Sequence, residues 1–279
     1  MGYLSTDPAG TVARGAGFAQ ATWRARGGLG DVTCEAIPKK YEKAGNKSVT
    51  KGKVECTTQE DAVKILRGVV KRAVEMLDRT IDELTAARES VCTTGTFPPK
   101  LRPIMACWLK HRLSVCIDDI TPWTGGPLQS RSVAEVIRRL VRPRNLLANN
   151  RITYECVSSC KSPTTYAWVD AAPGGVCLEN PEERIRLCPR FWNPGHAKFR
   201  EQDLIHEAVH LTHCAAAEDE GTRITIGSPE CLAQFVASTN GKPLDPEFRL
   251  RCGFTTKCGG PIPKDCLKTR PPEPADWKP

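Results

Sequence analysis

The sequence predicts an α+β fold stapled by disulfides, and three observations predict it. Apolar residues recur at helical spacing in two long stretches, short β-like runs cluster between Arg151 and Cys188, and fourteen cysteines are spread over 279 residues. The first two set the fold class. The third sets the means of stabilisation, because cysteine at this density, and in even number, is typical of oxidising compartments and scarce in reduced cytosolic enzymes. With 40% hydrophobic and 26% charged residues, the composition is that of an ordinary globular chain with a core.

Residues 1–57 are rich in Gly, Ala, Thr and Lys and show no sustained apolar period. They are expected to form an N-terminal arm, a propeptide, a linker or a loosely attached subdomain. At Thr58 the pattern changes. Thr-Gln-Glu-Asp offers a helix start, and Ala62, Leu66, Val69, Ala73, Leu77, Ile81 and Leu84 then repeat at helical spacing, which predicts one long amphipathic helix. A second helix is expected from a capping box of Ser132 and Glu135. It carries Val133, Val136, Ile137 and Leu140 on one face and is expected to stop before Pro143. The runs 152–157, 165–170, 175–178 and 184–188, separated by Ser, Pro and Gly turns, predict a small sheet. Residues 58–240 thus form the predicted main domain, followed by a Pro-, Gly- and Cys-rich tail, 241–279, pinned by disulfides.

Net charge is +8, but the basic residues run from Arg14 to Lys278 without a dense cluster or interleaved aromatics, which argues against a nucleic-acid partner. No apolar run approaches the roughly 20 residues of a membrane-spanning helix, so no membrane insertion is expected. The first thirty residues lack a compact apolar secretion signal. The cysteines nevertheless predict a secreted or extracytoplasmic location. A structural zinc cluster is the rival reading of the cysteines, but Cys156 and Cys160 have no second close pair and no histidine at finger spacing.

His206, Glu207 and His210 form H-E-x-x-H. Two imidazoles four residues apart project from one face of a helix and can share one tetrahedral zinc. Leu204, Ile205, Ala208, Val209 and Leu211 supply an apolar remainder for burial. Glu207, next to the first ligand, is placed to take a proton from a zinc-activated water and pass it to a leaving amine, the role of a general base.

A catalytic zinc needs a third protein ligand. His213 shares the helical stripe, but a rise of about 1.5 Å per residue spreads His206, His210 and His213 over roughly 10 Å, too far for one ion. The metzincin pattern would need histidine where Ala216 stands. Glu230 lies in the first turn of a helix opened by Ser228 and Pro229 and is the preferred third ligand, in an arrangement that resembles the second helix of the gluzincins. Asp219, in the acidic run Glu218-Asp219-Glu220, is the alternative, with Glu218, Glu220 or no third ligand also left open.

The stretch Ile185-Arg-Leu-Cys-Pro-Arg-Phe-Trp-Asn193 followed by Leu204-Ile-His-Glu-Ala-Val-His-Leu211 resembles the deuterolysin and peptidyl-Lys metalloendopeptidase family, the aspzincins, over roughly residues 58–240. The resemblance implies a zincin-like metallopeptidase domain and a secreted-type zinc endopeptidase, with His206 and His210 as ligands and Glu207 as base. The family's second signature, Gly-Thr-x-Asp-x-x-Tyr-Gly, is altered: Gly221-Thr-Arg-Ile-Thr-Ile-Gly227 lacks both Asp and Tyr, although Asp219 stands at a family-like distance after His210. The expected activity is hydrolysis of peptide bonds in a protein or peptide substrate by a monomer. The alternatives are an inactive zincin-fold binding module and a secreted or injected metalloprotease toxin with one host substrate.

Overall fold

The computed structural model describes residues 32–33, 40–44, 49–53, 58–94, 102–115, 133–158, 160, 165–170, 183–213, 228–245, 252, 262 and 266. Among them are five α-helices and a small mixed sheet, the α+β class.

Helix α1, Gln59–Thr94, is the long helix that the periodicity predicts. Thr58 starts it, its Oγ1 accepting from the Asp61 N–H at 3.1 Å and so satisfying one of the donors a helix N-terminus leaves over. Ala62, Leu66, Val69, Ala73, Leu77 and Leu84 are buried along one face, with Ile81 packed at the margin of the core. Truncating one of the fully buried leucines, as in Leu66→Ala, costs roughly 2–5 kcal/mol through lost burial and the cavity left behind. Helix α2, Pro103–Cys107, continues into a single π-helical turn, Trp108–Arg112.

Helix α3, Val133–Ala148, corrects one expectation: it does not stop before Pro143 but runs through it. Pro143, Leu146 and Leu147 are buried, and that burial favours continuing the helix past its breaker. Proline has no N–H to give the carbonyl four residues earlier, so Arg139 O is left without its helical donor. Nε2 of His213, at the C-terminal end of the motif helix, supplies the hydrogen bond at 2.8 Å. A local violation of helix rules in α3 therefore becomes a docking point for the end of the next long helix.

The main sheet has the order β1-β4-β6-β5. β4 is Thr153–Cys156, β5 Ala167–Trp168 and β6 Arg184–Leu187; β4 and β6 pair in parallel and β5 joins antiparallel. The expected run 175–178 lies outside the described residues. Tyr154, Cys156, Ile185 and Leu187 point into the core, the period-two alternation of a strand with one covered face. β1, Val32–Thr33, pairs in parallel with β4, so part of the stretch before Thr58 belongs to this sheet; a two-residue strand is too short to show a period. β2, Lys40–Ala44, and β3, Val49–Lys53, form a separate antiparallel pair.

Helices α4, Arg200–Thr212, and α5, Pro229–Thr239, pack on each other and on α1. A buried Glu201 pairs with Arg72 of α1, tying the first turn of α4 to the long helix. At the far end, Thr80 Oγ1 and Thr239 Oγ1 share a hydrogen bond at 3.1 Å, and Asn240 Nδ2 donates to Met76 O at 3.0 Å.

Cysteine pairs close the structure: Cys107 with Cys266, Cys160 with Cys188 and Cys231 with Cys252, with Cα separations of 5.4, 5.8 and 5.1 Å. Two of them bring the tail back onto α2 and α5, and Arg112 Nη1 adds a 2.6 Å bond to Cys252 O. Cys156 and Cys160 are both disulfide-bonded, which leaves neither thiolate for a zinc cluster. Among the described residues no helix is long and apolar enough to cross a membrane.

Candidate metal centre

Helix α4 is buried on nearly all sides. Leu204, Ile205, Ala208 and Val209 are fully enclosed and Leu211 nearly so. Between them, Asp203, His206 and His210 remain partly exposed, and their spacing of three and then four residues makes them one stripe. A helix otherwise committed to the core thus opens to solvent along its histidines.

The two rings converge. His206 Nε2 and His210 Nε2 lie 3.0 Å apart, with ring centroids at 4.7 Å and planes inclined by 63°. Two nitrogens on one tetrahedral zinc, each about 2.0–2.1 Å from it, are separated by roughly 3.3 Å. The observed pair needs to spread by only a few tenths of an ångström to accept the ion, so the donor set fits zinc. Glu207, the residue between them in the motif, is 7% exposed. A carboxylate so enclosed is shielded from bulk water, which strengthens its interactions with whatever proton donor it meets.

Glu230 is where the geometry departs from the sequence argument. It lies in the first turn of α5, as Ser228 and Pro229 predict: the Ser228 side chain accepts from the Cys231 N–H at 3.3 Å, and Pro229 opens the helix. Its carboxylate is buried and next to the histidines, but it meets the other ring nitrogen. Glu230 Oε2 lies 3.1 Å from Nδ1 of His206, while Nε2 is the atom facing His210. Among the described residues no acidic group converges with both imidazoles to within 4.8 Å. The structure therefore puts Glu230 against Nδ1 of His206, on the side of the ring away from His210. The cause is visible in its other oxygen, which accepts from Gln202 Nε2 at 3.2 Å and Gln234 Nε2 at 2.6 Å and is drawn to the α4–α5 seam. Asp219, with Glu218 and Glu220, lies outside the described residues.

His213 takes no part in the pair. Its Nε2 is committed to Arg139 O, as the expected spread along the helix requires. Burial pushes its pKa down to about 4, the hydrogen bond to Arg139 O opposing and the charges of Arg139, Arg142 and Arg138 adding to the shift. This imidazole is neutral at pH 7.

One turn before the motif lies a cluster that sequence reasoning missed. His196, in the 3-10 turn Pro194–His196, faces Asp203 through Nε2 at 2.5 Å and Asp245 through Nδ1 at 3.5 Å, and its ring stacks on Tyr166 at 3.6 Å between centroids. The donor atoms lie within 4.8 Å of one another, close enough to hold a cation. No short motif announces it, since its members come from three separate places in the chain. Gln202 and Gln234 were missed too, though each had a faint signal: Gln202 stands four residues before His206 and Gln234 four after Glu230, the spacing at which helical side chains meet.

Comparison with protein-family models and with curated protein sequences gives no match to this chain.

Proposed function

We propose that this protein is a zinc-dependent endopeptidase of the zincin type, as the resemblance to the aspzincins implies, acting on protein or peptide substrates outside the cytoplasm. The observation that carries the reading is the convergence of His206 Nε2 and His210 Nε2 at 3.0 Å on a solvent-reaching stripe of a largely buried helix. Disulfide-bonded cysteines are compatible with an extracellular setting.

In this reading His206 and His210 would hold zinc through the Nε2 atoms that face each other. Bound there, zinc would lower the pKa of a water molecule towards about 7 and polarise the scissile carbonyl. Glu207 would serve as general base towards the attacking water and then as acid towards the departing amine, so one carboxylate would serve both halves of the hydrolysis. The packing of α4 against α1, α3 and α5 fixes the helix and holds the two rings at their spacing without help from substrate. Asp219 remains the sequence candidate for the third ligand, and chelator competition on Asp219→Ala tests it: a true ligand is worth orders of magnitude in zinc affinity, a solvated carboxylate little.

The test of function is Glu207→Gln. The variant should keep its zinc and lose casein hydrolysis by at least about a hundredfold, the usual contribution of a positioned base. Zinc retained by the wild type without any hydrolysis would favour the alternative, a zincin-fold binding module.

A further inference from the structure

The geometry points to Glu230 as a positioning residue for His206, held by a clamp of two glutamines. This inference rests on the reading of His206 and His210 as metal ligands and adds to it a part for three residues beyond the motif.

Glu230 is 5% exposed, and burying a carboxylate is costly unless its oxygens are occupied by donors. Here each oxygen has its own. Oε1 accepts from Gln202 of α4 at 3.2 Å and Gln234 of α5 at 2.6 Å; Oε2 faces Nδ1 of His206 at 3.1 Å. The chemistry of the donors matters. Two amide donors fix the position of one oxygen, and among the described residues the other oxygen is directed at the His206 ring. A carboxylate at Nδ1 favours the tautomer with the proton on Nδ1, and so leaves the lone pair on Nε2, the atom that faces His210 at 3.0 Å. It also fixes the ring's rotation and makes Nε2 a better donor to a cation.

The three members come from both sides of one helix–helix seam. Gln202 precedes His206 by one turn on α4, while Glu230 and Gln234 are successive turns of α5, so the clamp couples the packing of α5 on α4 to the orientation of a metal ligand. The Cys231–Cys252 bridge adjoins Glu230 and ties the same turn of α5 to the tail.

Two readouts test this on the full-length protein. The first is metal-independent: nitrogen NMR of the metal-free protein at about pH 8 should show His206 with its proton on Nδ1, and that preference should weaken in Glu230→Ala. The second is zinc affinity by chelator competition, with the number of zinc neighbours counted by X-ray absorption. Glu230→Gln, close to isosteric and expected to fold, should bind zinc about 10- to 100-fold more weakly with an unchanged neighbour count. Gln234→Ala should lose less, and nothing further once Glu230→Gln is present. A neighbour count lower by one oxygen in Glu230→Gln, with affinity falling as far as in His210→Ala, would make Glu230 a ligand and overturn the proposal. So would an Nε2–H tautomer of His206 in the metal-free wild type, or affinity unchanged within twofold. Failure of the wild type to bind zinc would instead sink the metal reading, and the tautomer measurement would still decide what Glu230 does.

Discussion

Two histidine clusters share helix α4, one turn apart, and they are built on opposite plans. At His206 and His210 two nitrogens face each other across 3.0 Å, on a stripe open to solvent. At His196 each ring nitrogen faces a carboxylate, Asp203 on one side and Asp245 on the other, and Tyr166 covers a face of the ring. The first arrangement concentrates lone pairs at one accessible point, as a metal requires. The second sets a buried imidazole between two carboxylates, hydrogen-bonded to Asp203 and 3.5 Å from Asp245 Oδ2, and braces the start of the motif helix. Proximity of metal-ligating residues is thus a weak criterion by itself; which ring nitrogen faces which group separates a ligand from a strut.

The comparison breaks most visibly under alanine substitution. His206→Ala or His210→Ala should weaken zinc binding by orders of magnitude; His210→Ala should leave stability nearly unchanged, its ring being partly exposed, whereas His206→Ala should also cost some stability by leaving the buried Glu230 Oε2 without its Nδ1 partner. His196→Ala should do the reverse, retaining zinc in whatever protein folds while costing about 3–5 kcal/mol of stability, because two carboxylates lose the group between them. Zinc titrations and urea unfolding of the three variants, run side by side, test both halves. Zinc lost as completely in His196→Ala as in His210→Ala would merge the two clusters into one site.

Reduction comes next in size. The bridges at Cys107–Cys266 and Cys231–Cys252 return the tail to the domain that holds both clusters. Each is expected to contribute about 2–4 kcal/mol by constraining the unfolded chain, so reducing agent should lower the melting temperature markedly. Fourteen free thiols in protein prepared under oxidising conditions would contradict this.

The smallest effect belongs to the third histidine of the stripe. His213 has its pKa pushed down to about 4, against about 6.5 in an unfolded chain. Unfolding therefore takes up a proton between those values, and stability falls as pH drops from about 6.5 towards 4, then levels off. His213→Gln keeps an amide donor for Arg139 O and removes the titration, so its stability should depend less on pH across that window. An unchanged slope would mean that other groups dominate it.

Much of this architecture is written locally. The seven-residue apolar series of α1, the Ser228-Pro229 start of α5 and the spacing of His206 and His210 are all settled within one or two helical turns, where periodicity and capping operate. What escapes the sequence is settled between elements. α3 passes through Pro143 because buried Leu146 and Leu147 outweigh the missing N–H, and because His213, seventy residues on, completes the orphaned carbonyl. Glu230 can be placed beside the motif from its helix start, but which nitrogen of His206 it meets depends on Gln202 and Gln234 across the α4–α5 seam. His196, Asp203 and Asp245 meet only in the folded chain.

The central claim, that His206 and His210 hold one zinc ion, is tested most directly by the zinc content of the oxidised full-length protein after dialysis, with His210→Ala measured beside it. The account predicts about one zinc per chain in the wild type and none in the variant; a metal-free wild type, or equal zinc in both, would contradict it.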